Sequence, residues 1–283
     1  MKKRTVKGVV FSEDVNMGPI TLKQPLPLGN LQQVDPFLLL HHVGPKTQAP
    51  GGKNIMGIGA HPHRGFEPVT FIFSGDIHHK DSQGNDSIIR GGGVQWMTAG
   101  SGIVHSESAS ENFVQKGGEL ELIQLWVNLP ANKKMHVPQY QGFQRDDIPA
   151  YEDGTARLNV IAGVFRGLEG PVQSLTGVTA YTIEMKAGDT IEFNDPTDRN
   201  AILYQLKGSA EVNGSNSAQY AMTIFGNEGE SIEVSADSDS LFLFVSGAPV
   251  HEELAQYGPF VMNSQSELMQ AVKDYQAGLM GKI

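Results

Sequence analysis

Residues 67–77, EPVTFIFSGDI, and residues 200–212, NAILYQLKGSAEV, share one plan. In each, an alternating run with aromatic members enters a glycine, Gly75 or Gly208, and a new apolar alternation begins directly after it. Alternation with period two is the signature of a strand with one face toward a core, and glycine supplies the turn between strands. The echo therefore predicts two copies of one β module. The boundary is expected in the polar stretch Gln144 to Thr155, which contains Pro149 and Gly154. This gives one domain over 1–148 and a second over 149–283.

Working outward, short apolar or alternating runs separated by Gly, Pro, Asn and Asp continue from about residue 5 to residue 247. Thr70–Phe73, Ile88–Ile89, Val94–Met97, Ala180–Met185, Ala201–Leu206 and Leu241–Val245 are examples, and the pattern predicts an all-β sandwich or barrel. Residues 119–129, ELELIQLWVNL, alternate through Leu120 and Leu122 and then change phase to Ile123, Leu125, Val127 and Leu129. A strand covered on both faces, or one with a bulge near Ile123, accounts for the change. Helical spacing enters only near the end. There Ser264 and Glu267 form a capping-box pair, and Leu268, Val272, Tyr275 and Leu279 predict one helix docking by one apolar stripe.

Composition narrows the function classes. Over 283 residues, 31 acidic against 21 basic side chains leave a formal charge of -10, which disfavours phosphate backbones and anionic lipid, so no direct nucleic-acid partner is expected. The N-terminal cluster Lys2, Lys3, Arg4 and Lys7 precedes no uninterrupted apolar region and is not read as a signal peptide. No apolar run approaches the roughly 18 to 20 residues of a membrane helix. A cytoplasmic protein that does not engage membranes, and a monomer, is the expectation. With 0 cysteines, any metal must be held by nitrogen and oxygen.

The chemistry is concentrated in two stretches, HPHRGFE at 61–67 and AGSGIVHSE at 99–107. Residues two apart in a strand face the same way, so His61 with His63, and His105 with Glu107, project as pairs. If neighbouring strands carry the pairs, three imidazoles and a carboxylate surround one point. Such a donor set suits Fe, Mn, Co, Ni, Cu or Zn and leaves positions open for chemistry. The glycines at 91–93 and 99–102 serve turns, since no helix follows them to hold a phosphate, and no GxSxG elbow is present.

HPHRGFE, the segment VQWMTAGSGIVHSE at 94–107, QLWVNL at 124–129, DPFLLL at 35–40 and GPFVMN at 258–263 together resemble the pirin family of the cupin superfamily, across nearly the whole chain. The resemblance implies a bicupin of two jelly-roll sandwiches with a short C-terminal helix. It implies a metal, most often iron as Fe(II), held in the N-terminal cupin by His61, His63, His105 and Glu107. Other cupins place a carboxylate ligand near Glu67; here Glu67 and Arg64 are assigned to supporting contacts around the ligands. The second module offers Asn194, Pro196 and Asn200 where the first has HPHRGFE, and no histidine in its later strands, so no metal is expected there. His41-His42 stand where pirins commonly carry an acidic pair and are read as surface or rim residues. His78-His79 are read as solvated.

By the same resemblance the leading expectation is a quercetin 2,3-dioxygenase-type oxidoreductase. It would act on a small aromatic substrate such as a flavonol with O2, releasing carbon monoxide, with Glu107 as candidate base. The alternatives are an iron- or redox-dependent regulator working through protein partners, and a metal-binding bicupin without catalysis.

Overall fold

The computed structural model describes residues 2–18 and 20–283. Contacts between Cα atoms divide them into two units, each assembled from three pieces of chain. One comprises Val15–Leu22, Phe37–Arg145 and Val250–Ile283; the other comprises Met1–Asp14, Lys23–Pro36 and Asp146–Pro249. The unit changes between Arg145 and Asp146. The two termini depart from the expected division: the first 14 residues group with the second module, and the last 34, helix included, group with the first.

In the first unit a seven-stranded antiparallel sheet runs in the order Gln139–Phe143, Val94–Thr98, Phe66–Ser74, Gly118–Asn128, Phe37–Gln48, Ile20–Leu26, Glu13–Met17. A four-stranded sheet, Gly57–His63, Ile103–Ser108, Asp76–Asp81, Asp86–Arg90, forms the other layer. Ile72, Ile77, Ile89, Leu120 and Leu122 are buried in one core cluster.

The second unit repeats that order. Its larger sheet is Val6–Phe11, Ala221–Phe225, Asn200–Lys207, Ser240–Gly247, Thr179–Met185, Ala156–Ala162, Ala150–Glu152, and its smaller one is Thr190–Asn194, Ser231–Ala236, Ser209–Val212, Ser215–Ala218. Both units are all-β sandwiches. The sequence echo is thus a structural one, because strand 66–74 takes the place of strand 200–207 and each is followed by its glycine.

Those glycines are required by geometry. Gly75 and Gly208 have φ of 76° and 83°, the left-handed region that side chains avoid. A Cβ at Gly208 would also lie 2.5 Å from the Asp239 carbonyl oxygen, and one at Gly75 2.8 Å from Leu120 Cδ1. Just before each glycine the ladder skips one residue. Ser74 and Ile72 face Glu121 and Leu122, while Lys207 and Gln205 face Leu241 and Phe242. The extra residue of this bulge, Phe73, belongs to strand 66–74, and the phase change read in 119–129 leads into Leu125–Asn128, which are buried on both faces.

Helix Gln265–Gln276 starts as expected: Ser264 Oγ accepts the Glu267 amide at 3.3 Å, and the Glu267 carboxylate accepts the Asn263 amide at 3.1 Å. Its buried face is shorter than the predicted stripe. Leu268 and Ala271 are buried and Val272 partly so, whereas Tyr275 and Leu279 are exposed. The helix ends before Gly278, whose φ of 75° turns the chain and gives the next buried place to Met280. No helix is long and apolar enough to cross a membrane among the described residues.

Candidate metal centre

Strands Gly57–His63 and Ile103–Ser108 are antiparallel neighbours, with His61 opposite His105 and His63 opposite Ile103. The two strands therefore bring three imidazoles together, tilted or edge-on to one another. Ring centroids are 4.3 Å apart for His61 and His105, 4.8 Å for His61 and His63, and 4.9 Å for His63 and His105. One ligand nitrogen from each lies within 4.8 Å of the other two. His63 and His105 are buried and His61 is half-buried, which leaves one side of the group toward solvent.

Hydrogen bonds fix which nitrogens point inward. His61 Nδ1 donates to the Gly59 carbonyl at 2.8 Å, and His63 Nδ1 to the Pro259 carbonyl at 3.3 Å, so each ring's Nε2 keeps its lone pair. Three buried nitrogens, His63 Nε2 and both of His105, have no hydrogen-bond partner. Leaving one buried polar atom unsatisfied costs about 1–3 kcal/mol. Burial pushes the His63 pKa down to about 3, helped by the charge of His61, and burial also holds His105 well below the ordinary histidine value. Neutral imidazoles with free lone pairs are the form in which histidine binds metals.

Glu107 lies on the other side of His105. A bulge follows His105, setting Glu107 opposite Ile58 on one neighbouring strand and opposite His79 on the other. Thr70 Oγ1 donates to its Oε1 and Gln124 Nε2 to its Oε2, both at 3.1 Å. Trp126 Nε1 in turn donates to Gln124 Oε1 at 3.2 Å. Glu107, His79 and His105 form a second group within 4.8 Å, so the structure shows two triads sharing His105 rather than four donors at equal range.

His79 corrects the sequence reading. It is buried instead of solvated, bonded through Nε2 to Asp81 Oδ2 at 3.0 Å and stacked on the Tyr140 ring at 4.2 Å. His79 and Asp81 are two apart in a strand, and that spacing was the available signal. His78 is half-buried and pairs with Asp86 at 2.5 Å. His42 is likewise buried, not at the rim, and bonds Glu121 at 3.0 Å, while burial lowers half-buried His41 to about 4. Thr70, Gln124 and the Pro259 carbonyl were not legible as site groups.

Arg64 and Glu67 sit in the strand and turn next to the histidines. Arg64 donates to the Ser101 carbonyl at 2.7 Å and to Asp274 of the C-terminal helix at 2.8 Å. Glu67 is buried and accepts the Thr98 hydroxyl at 2.7 Å.

Register equates the two sandwiches residue by residue. Counting from Gly75 and Gly208, and along the shared ladders, His61, His63, His105 and Glu107 correspond to Phe193, Asp195, Ile232 and Val234. Within the stretch that answers to HPHRGFE, Asn194 stands at the place of Pro62, and a phenylalanine and an aspartate take the histidine places. Thr70 and Gln124 become Leu203 and Phe244.

Two jelly-roll sandwiches with a histidine group in one of them define a bicupin. The Pirin family pattern matches residues 20–127 and that of the pirin C-terminal cupin domain matches residues 180–281, and the chain belongs to the pirin family. A pirin-like protein of Caulobacter vibrioides is 36% identical over 98% of this chain and 99% of its own. Pirin-like protein 2 of Arabidopsis thaliana is 38% identical over 88% of this chain and 76% of its own. A crystal structure of quercetin 2,3-dioxygenase from Acinetobacter baumannii superposes with a TM-score of 0.93 at 33% identity, covering 100% of both chains.

Proposed function

We propose that this pirin is a metal-dependent oxidoreductase that opens a flavonol ring with O2 and releases carbon monoxide. His61, His63 and His105 would hold the metal, with Glu107 as the adjoining carboxylate. The observation that carries the reading is the set of buried, unbonded nitrogens on His63 and His105, which a cation would satisfy. Fe(II) is the first candidate, with Cu, Ni, Mn, Co and Zn compatible with the same donors. The likeness to the Acinetobacter baumannii dioxygenase supports the substrate class.

The metal would supply a Lewis-acid site that favours the deprotonated substrate hydroxyl and a redox partner for oxygen. The chain does the rest. Half-buried His61 marks the side from which a substrate enters, and the buried rings of His63 and His105 exclude water behind it. Glu107 is the group placed to take the substrate hydroxyl proton, held by Thr70 and Gln124 through one bond to each oxygen. Arg64 and Glu67 hold the strand ends from which the histidines project.

The test is reconstitution of the metal-free protein with Fe(II), Mn(II), Ni(II) or Cu(II), followed by oxygen uptake and carbon monoxide release with quercetin. Turnover with at least one metal is expected. Absence of turnover with all of them would remove this function and leave metal binding to be judged by itself.

A further inference from the structure

In the second sandwich, the counterparts of His105 and Glu107 are packed in the apolar core, and open space lies beside Phe193, the counterpart of His61. A cavity of about 430 Å³ opens there, lined by Phe165, Arg166, Tyr181, Glu192 and Phe193. Phe193 is the counterpart of His61, and Tyr181 that of His41, since Tyr181 faces Phe244 as His41 faces Gln124. The volume lies in the range of small-molecule sites, roughly 300–1,000 Å³.

Its walls are three buried aromatic rings set edge to face. Phe165 lies 5.7 Å from Tyr181 and 6.4 Å from Phe193, and Tyr181 lies 6.3 Å from Phe193. The Tyr181 hydroxyl is committed to the Val164 carbonyl at 2.7 Å, so this ring presents carbon to the cavity. Such walls receive a flat ring by offset or edge contacts.

The mouth is built by a hairpin. Val164–Phe165 pairs with Leu168–Glu169 through the two-residue turn Arg166–Gly167, with φ of 46° and 85°. A turn with both φ values positive favours Asn-Gly, and an arginine there stores strain on the order of 1 kcal/mol. What the arginine gains is a fixed guanidinium. It lies 4.5 Å over the Tyr151 ring and 5.3 Å from the Phe165 ring, and it donates to the Tyr151 hydroxyl. Its side chain stays 47% exposed, and its acidic neighbour Asp153 is 3.8 Å away, beyond hydrogen-bond range. Beside Arg166, Glu192 also lines the cavity; its backbone carbonyl accepts from Arg166 Nη2 at 3.5 Å and its carboxylate accepts the Ser231 hydroxyl.

We infer that this cavity is a second small-molecule site, for a one- or two-ring aromatic carboxylate that also bears a hydroxyl. The rings Phe165, Tyr181 and Phe193 take the aromatic body, Arg166 takes the carboxylate, and Glu192 accepts the hydroxyl proton in a hydrogen bond. A planar guanidinium matches a carboxylate with two parallel N–H donors. The site is independent of the proposed oxidation, because every group belongs to the second sandwich.

The probe is 6-hydroxy-2-naphthoate, titrated calorimetrically into the full chain. Saturable binding is expected, with affinity at least ~tenfold lower for the neutral analogue in which hydroxymethyl replaces carboxylate. Arg166→Ala should weaken binding by ~tenfold or more, and Arg166→Lys by less, since lysine keeps charge without the fork. Asp153→Asn keeps a side chain able to hold its turn and removes the competing charge, so it should tighten binding ~2–3-fold. A His61→Ala, His105→Ala double variant should bind with unchanged affinity. No saturable binding up to ~5 mM, equal affinity in Arg166→Ala, or loss of binding in the histidine variant would each overturn the assignment.

Discussion

The two sandwiches share strand order, glycine turns and even a one-residue bulge, yet one lines its interior with His61, His63, His105, Glu107, Thr70 and Gln124 and the other with Phe193, Asp195, Ile232, Val234, Leu203 and Phe244. The scaffold therefore does not require the polar set. In the second unit these positions do ordinary work: Phe193, Leu203, Ile232, Val234 and Phe244 belong to a single apolar cluster with Ile183 and Leu158. In the first unit the same positions leave three imidazole nitrogens buried and unbonded, a state that folding alone would select against. The difference measures what the site costs, and it supplies the substitutions that test it.

The largest effect is expected from giving the first unit a residue of the second. His105→Ile should lower affinity for Co(II) or Ni(II) by at least ~1,000-fold, about 4 kcal/mol, because a shared member of both triads is lost. The metal-free variant should nevertheless be more stable than the metal-free parent by about 1–3 kcal/mol, since two unsatisfied nitrogens disappear. The reverse exchange, Ile232→His, should destabilise the chain by a similar amount and gain no metal. Metal titrations and urea unfolding check all three; a destabilised metal-free His105→Ile would show that the imidazole is a packing element.

Next in size is the comparison of how each unit is tied by a chain terminus. Arg4 is buried and donates to Asp195, the counterpart of His63, and to the carbonyls of Gly226 at 2.9 Å and Arg199 at 2.7 Å. Arg4→Met strands a buried carboxylate and should cost about 3–5 kcal/mol. Adding Asp195→Asn should recover more than half, as read by urea midpoints at constant slope. Equal stability of the single and double variants would mean that Arg4 acts by packing alone.

These ties also show what the amino-acid sequence made legible. Strand positions, the duplicated module and the two histidine-bearing pairs follow from local periodicity, and local periodicity is read one segment at a time. Arg4 was read only as one of an N-terminal basic cluster, because its partner lies 191 residues away. His79 looked solvated because its neighbours His78, Lys80 and Asp86 are polar; what buries it is the Tyr140 ring and the strand carrying His105, both distant in sequence. Thr70 and Gln124 were read as alternation within strands. Only pairing across the large sheet turns both toward Glu107.

The smallest effect concerns the tie of the histidine-bearing unit, where a lysine replaces the arginine–aspartate pair. Lys134 is buried, and its ammonium donates to the Gly65 carbonyl at 2.9 Å, the Asn128 side chain at 2.7 Å and the Val261 carbonyl at 3.2 Å. It thereby joins the residue two beyond His63 to the strand Phe260–Met262, next to the Pro259 carbonyl that orients His63. Gly65 allows the approach, since a Cβ there would lie 1.9 Å from the Val261 oxygen. With neutral acceptors only, burial lowers the Lys134 pKa to about 8, against 10.5 ordinarily. Between those values the unfolded chain binds more protons than the folded one, so stability must rise with pH across the window. A shift of this size corresponds to about 3 kcal/mol. Lys134→Met removes the group from both states. The stability of the parent minus that of the variant should therefore increase by about 3 kcal/mol from pH 8 to pH 10.5 and stay level below pH 8, as measured by urea unfolding at each pH. A flat difference across the window would mean that the ammonium is as well solvated in the folded chain as in the unfolded one. In that case the first unit's tie would be as cheap to ionise as any surface lysine, and the contrast with buried Arg4 and Asp195 would lie in charge pairing alone.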